Sequence, residues 1–294
     1  MKRSLIDRIH DRSWREVGKL LSSRHEIVAA AKTNQAPVSV SEGMPWASLC
    51  SEYAEGTRDS TGFRRHSAVR DVVETVGPVD GRFYAQKIRE WGPEWLTNEA
   101  VMEIDRWGNP IRWPKWLLGT PSSFSPTTLR YLATALWLKR KGYLGPKSNI
   151  LEIGVGFAGL AAMNALVSGA VTTLVDLPQV EAAAARMLAE NGLAAQYQLS
   201  RTLRDSPMDL VISNYAFSEL NAATQTRYFD KYIKHAAHCV IISNAVVFAE
   251  SIQGRCDQEL VAWFNAEGLP AKIESANELL SPGDHFYGVK MIHW

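Results

Sequence analysis

Glu152, Gly154, Gly156, Gly159 and Asp176, the last 22 positions beyond Gly154, have the types and spacing of a nucleoside-holding turn. Gly154 can take the positive φ of a tight strand-to-helix turn, and Gly156 lets the main chain approach a ligand without a Cβ in the way. Gly159 permits close helix-to-strand packing. The helix expected from about Phe157 to Val167 points free N–H groups into the turn. Asp176 ends a second, β-branched strand, where a carboxylate can accept hydrogen bonds from both hydroxyls of a ribose. A glycine-rich structural turn would carry the same spacing, and an acid before a Pro-started helix also serves as a cap. Strand, turn, helix, strand and acid falling in register favour the nucleoside.

The spacing also fits a dinucleotide, so the choice of ligand rests on Glu152. An acid two places before the first glycine repels a pyrophosphate and attracts the ammonium of S-adenosylmethionine. The unit also begins midway along the chain, leaving little sequence after it for a separate substrate domain. A nicotinamide-dependent oxidoreductase is the enzyme alternative, and a non-catalytic scaffold that keeps the fold is a third reading.

Leu151-Glu152-Ile153-Gly154-Val155-Gly156 together with Asp176 resembles motifs I and II of class I methyltransferases. A fuller set is similar to the sugar O-methyltransferase family: Gly108-Asn109-Pro110, Ser125-Pro126-Thr127-Thr128-Leu129-Arg130, Thr173-Leu174-Val175-Asp176-Leu177-Pro178 and Ser213-Asn214-Tyr215-Ala216-Phe217-Ser218-Glu219-Leu220. The resemblance covers roughly residues 105 to 294. It implies a Rossmann-like α/β fold, with a mostly parallel sheet whose last strand is antiparallel. It also implies S-adenosylmethionine held by Glu152, Gly154, Val155, Gly156, Asp176, Leu177 and Asn214, and methyl transfer to a hydroxyl of a sugar or glycosylated small molecule. A phenolic or amine natural product would need the same core.

A sugar hydroxyl is a poor nucleophile at neutral pH, so a base that takes its proton adds rate to in-line transfer. His285 is the first candidate because imidazole titrates near neutrality; Glu219 is the second, and Asp284 could orient the histidine. An antiparallel last strand over Phe286 to Trp294 would bring Asp284 and His285 to the edge where the parallel strands finish, although Ser281-Pro282-Gly283 equally reads as a turn. Tyr215, Asn109 and Asn244 are candidate substrate contacts. No tight His and Asp spacing suits a metal: His235 and His238 have no evident partner. No structural metal is expected, and a catalytic divalent ion stays open.

Two parts position these groups. Residues 1 to 125 read as a mainly helical, Trp-rich extension, and residues 126 to 294 as the cofactor-binding domain. The helix capped by Ser125 and opened by Pro126 runs to about Lys141, followed by strands near 149–153, 170–175, 194–199, 209–213, 240–243 and 271–274. Seven of the ten tryptophans lie between Trp46 and Trp137. Each is chiefly packing material, with the Gly-, Pro- and Trp-rich loop from Asp105 to Phe124 as a candidate lid over a sugar. Leu5, Ile6, Ile9, Val17, Leu20 and Leu21 recur at helical spacing, suited to packing or a homodimer contact.

Composition excludes other classes. At 294 residues and 46% hydrophobic the chain can build a sizeable core, and its formal net charge of +1 gives no general attraction to nucleic acid or acidic lipid. Arg64-Arg65-His66 and Lys139-Arg140-Lys141 read as solvated helix faces. Cys50, Cys239 and Cys256 lack metal or disulfide spacing, which suits a reducing cytoplasm. No apolar run reaches membrane-spanning length, and Met1-Lys2-Arg3 precedes no signal core. A cytoplasmic enzyme with a small, sugar-like partner is the expectation.

Overall fold

The computed structural model describes residues 38–41, 44–203 and 207–294. The helix and homodimer contact expected in residues 1 to 35 lie outside them. Seven strands form one sheet: β1 Asn149–Ile153, β2 Val171–Val175, β3 Tyr197–Leu199, β4 Leu210–Asn214, β5 His238–Ser243, β6 Lys272–Glu274 and β7 Lys290–His293. Their order is β3-β2-β1-β4-β5-β7-β6. β7 runs antiparallel to both β5 and β6, and the other pairings are parallel. This is the Rossmann-like, mostly parallel α/β sheet that the resemblance implies.

The inner strands are apolar on both faces because helices cover both, as a parallel sheet requires; β4, Leu-Val-Ile-Ser-Asn, is buried through Ser213. β1 pairs with β2 on one side and β4 on the other, so the order reverses beside it. The carboxyl ends of β1 and β4 therefore flank the crevice where open α/β sheets take their ligands.

The helix Pro126–Arg140 is buried along almost its whole length because it is covered on both sides. Gly159 opens the helix Gly159–Ser168 against it: a Cβ there would lie 2.4 Å from the Tyr131 ring. Gly159 thus serves helix-to-helix packing rather than the helix-to-strand contact expected of it. On the other side the helix Pro78–Trp91 packs on Pro126–Arg140, with a Cβ at Gly81 only 2.8 Å from Pro126. One apolar core joins Trp46, Tyr53, Phe63 and Ile88 of the extension to Leu129, Trp137, Phe157 and Leu160. Trp107 stacks on Phe157 at 5.9 Å between centroids and donates from Nε1 to Glu190 at 2.9 Å.

Two local expectations change. Arg64 is fully buried rather than solvated: its Nε donates to Glu74 at 2.5 Å and its Nη2 to Ser125 and Thr128 at 3.0 and 3.1 Å. A buried guanidinium holds because those oxygens replace water. Ser125 consequently makes no side-chain cap; its hydroxyl donates to Glu74 and its amide to Asp105. Lys139, Arg140 and Lys141 are exposed, as expected of a helix end. Among the described residues no helix is long and apolar enough to cross a membrane.

Candidate active site

The turn after β1 places a carboxylate beside bare backbone. Gly154 has φ 81°, and a Cβ on it would lie 2.0 Å from the Ala216 Cβ. Only glycine fits where the loop after β4 crosses so closely. Gly156 also takes a positive φ, 54°. Glu152 lies at the end of β1, 2% exposed, with Oε2 unpartnered. Burial, and then the charge of Asp176, holds its carboxyl well above the usual carboxylate range. A buried acid with an open oxygen is costly unless a cation or donor completes it.

Asp176 follows β2 across the same cleft. Its Oδ1 accepts from the Leu177 amide at 2.8 Å, and the amides of Gly156 and Val155 also reach it. Burial outweighs those bonds and pushes its pKa up to about 6.

The loop after β4 is pinned by Ser213. Its Oγ donates to the Ile153 carbonyl at 3.0 Å and accepts from the Phe217 amide at 2.9 Å. Tyr215 sits between at φ 76° and ψ −37°, an unusual conformation for a side chain of this size, which the surrounding bonds hold in place. The phenol donates to Asp284 Oδ1 at 2.6 Å. Asp284 Oδ2 accepts from Tyr84 at 2.9 Å and from the Ser281 amide and hydroxyl at 2.8 and 2.9 Å. Burial first, then the charge of Asp284, raises the Tyr215 phenol well above its ordinary value.

Glu219 closes the far side. Its Oε1 accepts from Asn244 Nδ2 at 2.7 Å, and Asn244 Oδ1 lies 2.6 Å from the Ser218 hydroxyl. The segment 38–41 bridges to this loop: Val40 donates to the Glu219 carbonyl at 3.0 Å, and Asn221 to that of Val38 at 3.1 Å.

One cleft is lined by Glu152, Gly154, Gly156, Asp176, Leu177, Asn214, Tyr215, Glu219, Asn244 and Asp284, all expected at the site. Val155 is buried behind the turn and does not line it. Asn109 and His285 are exposed and lie outside the lining. Ser281 and Asp284 form a reciprocal capping box that starts a short helix, Pro282–Phe286. β7 therefore begins only at Lys290, and the helix turns Asp284 inward while His285 faces solvent. The Asp105 to Phe124 loop does not roof the cleft; Val38, Trp46, Val72, Val73, Val76 and Tyr84 do. Arg130 also lines the cleft. Its one sequence signal was its place in the Ser125 to Arg130 motif.

No family model matches the chain, and no curated protein matches it. Solved structures do. A SAM-dependent methyltransferase from Geobacter sulfurreducens, in complex with S-adenosyl-L-homocysteine, is 17% identical with a TM-score of 0.35, over 49% of this chain and 66% of that one. A cyclopropane-fatty-acyl-phospholipid synthase-like protein from Lactobacillus casei is 19% identical with a TM-score of 0.32, over 40% and 51%. The mitomycin 7-O-methyltransferase is 14% identical with a TM-score of 0.39, over 75% and 73%. The chain thus spans less than two thirds of the Lactobacillus protein and just under two thirds of the Geobacter one. At these scores the likenesses carry no argument, and the fold rests on the strand order itself.

The cleft can be tested for S-adenosylmethionine on its own residues. The unpartnered Glu152 oxygen suits an ammonium, Asp176 has the chemistry for paired ribose hydroxyls, and Gly154 and Gly156 leave the backbone bare beside them. The residues fit the group. Among the described residues no cluster of three or more His, Cys, Asp or Glu is placed to hold a metal ion.

Proposed function

We propose that the protein is an S-adenosylmethionine-dependent O-methyltransferase acting on a hydroxyl of a sugar or glycosylated small molecule. The observation that carries this reading is the pair of acids, buried Glu152 and half-buried Asp176, at the ends of adjacent strands beside a glycine turn. A cation with a ribose answers both; a pyrophosphate brings no positive charge to complete the open Glu152 oxygen and would oppose its ionisation.

When bound, the cofactor supplies an electrophilic methyl group. Glu152 would hold its ammonium, Asp176 its ribose, and the Leu177 and Asn214 positions the walls around it. The acceptor enters on the side of Tyr215, Glu219, Asn244 and Asp284. Glu219 is the base in this reading, taking the proton of the attacking hydroxyl on its carboxylate while Asn244 fixes the orientation. Asp284 acts through Tyr215 as a positioning residue, holding the phenol that forms the acceptor wall. Residues 38–41 and 72–77 cover the cleft and exclude water. His285, exposed, has no part in the reaction.

Incubation with methyl-labelled S-adenosylmethionine and a panel of nucleotide sugars, glycosides, phenols and amines tests the reading. Label in a sugar hydroxyl supports it. Label in phenols or amines alone rejects the sugar acceptor, and no label with any acceptor rejects the activity.

A further inference from the structure

The cleft is acidic, with Asp80, Glu152, Asp176, Glu219 and Asp284 in its lining, yet it also holds a guanidinium, that of Arg130. Arg130 is only 7% exposed, and its Nε has no hydrogen-bond partner. Its guanidinium carbon lies 5.3 Å from the centre of the Tyr131 ring and 5.2 Å from that of Tyr215. The Tyr131 hydroxyl stands near the guanidinium. Asp284 acts on its charge but accepts bonds from Tyr84, Tyr215 and Ser281, so both its oxygens are already engaged. A buried guanidinium offers five donors in a planar fork that matches a carboxylate. Here two aromatic faces hold it in place while part of the fork is left without an oxygen.

On the reading that the cleft transfers a methyl group, we infer that Arg130 binds a carboxylate of the methyl acceptor, so that the substrate is a hydroxylated acid, such as a sugar acid, rather than a neutral sugar. The alternative source of a carboxylate is the methionine end of the donor. There the ammonium and carboxylate share one carbon, so their two anchors must be neighbours. The Arg130 guanidinium lies against the Tyr215 ring, whose phenol is bonded to Asp284, on the wall assigned above to the acceptor. The acceptor's carboxylate is therefore the one proposed, and the affinity for S-adenosylhomocysteine separates it from the donor's.

The test pairs uronic acids and hydroxybenzoates with their neutral amides, each assayed for labelled methyl transfer by the wild-type protein, Arg130→Met and Arg130→Lys. Binding of S-adenosylhomocysteine is titrated in parallel. The expected result is kcat/KM at least about tenfold higher for an acid than for its amide. Arg130→Met should erase that preference, Arg130→Lys should recover part of it, and the Kd for S-adenosylhomocysteine should stay within about threefold of wild type. Equal use of acid and amide, or turnover of neutral compounds only, would overturn the inference. So would a tenfold loss of S-adenosylhomocysteine binding in Arg130→Met, which would assign the residue to the donor. Wild-type protein that binds no S-adenosylhomocysteine would instead overturn the methyltransferase reading.

Discussion

Replacing Glu152 by Gln should weaken ligand binding and, at the same time, stabilise the free protein. The two effects share one cause. Burial and the neighbouring Asp176 raise the Glu152 pKa in the folded state, so over a range above the unfolded carboxylate value near 4.5 the folded chain keeps a proton that the unfolded chain has lost. Stability therefore falls as pH rises through that range, by about 1.4 kcal/mol for each pH unit between the unfolded and folded pKa values. Gln does not titrate, so the free variant should melt higher at neutral pH, by about 2–4 °C for each kcal/mol regained. On the ligand side the ammonium loses a charged partner. That costs about 1.5–3 kcal/mol, or roughly 10- to 150-fold in Kd. Scanning calorimetry of the free protein and titration with S-adenosylhomocysteine measure both effects. Binding to the wild type should also release a proton as Glu152 ionises against the ammonium, making the heat depend on the buffer's ionisation enthalpy. A variant that binds as tightly as wild type, or melts lower when free, would refute the reasoning.

Asp176→Ala should weaken S-adenosylhomocysteine binding by about tenfold or more, through the lost charged acceptor. Because that carboxylate's pKa is raised to about 6, wild-type binding should also weaken as pH falls below that value, and titrations across pH 5 to 8 check both points. Gly154→Ala should destabilise by at least ~1–3 kcal/mol, because its φ of 81° and the Ala216 contact both oppose a Cβ, seen as a lower melting temperature or loss of soluble protein. Glu219→Gln should lower kcat by about 10²- to 10⁴-fold with little change in S-adenosylhomocysteine affinity, whereas His285→Ala should leave kcat within about twofold. Full turnover after chelation of divalent ions is expected, and a loss restored by Mg²⁺ or Mn²⁺ would assign a catalytic metal.

The parts of the site that were legible in the sequence are those built locally. Glu152, the glycine turn and Asp176 lie within one strand-turn-helix-strand unit, where spacing alone fixes the geometry. The helix Pro178–Glu190 likewise opens at its proline and stops before Asn191-Gly192. What was hidden depends on distant partners. Arg64 reads as a surface charge until Glu74, Ser125 and Thr128 come together around it. The roof over the cleft comes from residues 38–41 and 72–84, which no periodicity ties to the sheet, so the Trp-rich loop drew attention instead. At Ser281 the local signal is present, but a turn and a helix start share it. Ser-Pro-Gly-Asp is a capping box that opens a helix, and that one turn keeps Asp284 at the cleft while it carries His285 out to solvent. Arg130 lay in full view within a motif, but its burial beside Tyr215 is a tertiary fact.

Titration of the wild-type protein with S-adenosylhomocysteine and, separately, with NADH tests the central claim most directly. Saturable binding of S-adenosylhomocysteine at one site, weakened by about tenfold or more in Asp176→Ala and absent for NADH, is the result expected of a cleft with acids at both β1 and β2. Binding of NADH, or no heat with S-adenosylhomocysteine, would contradict it.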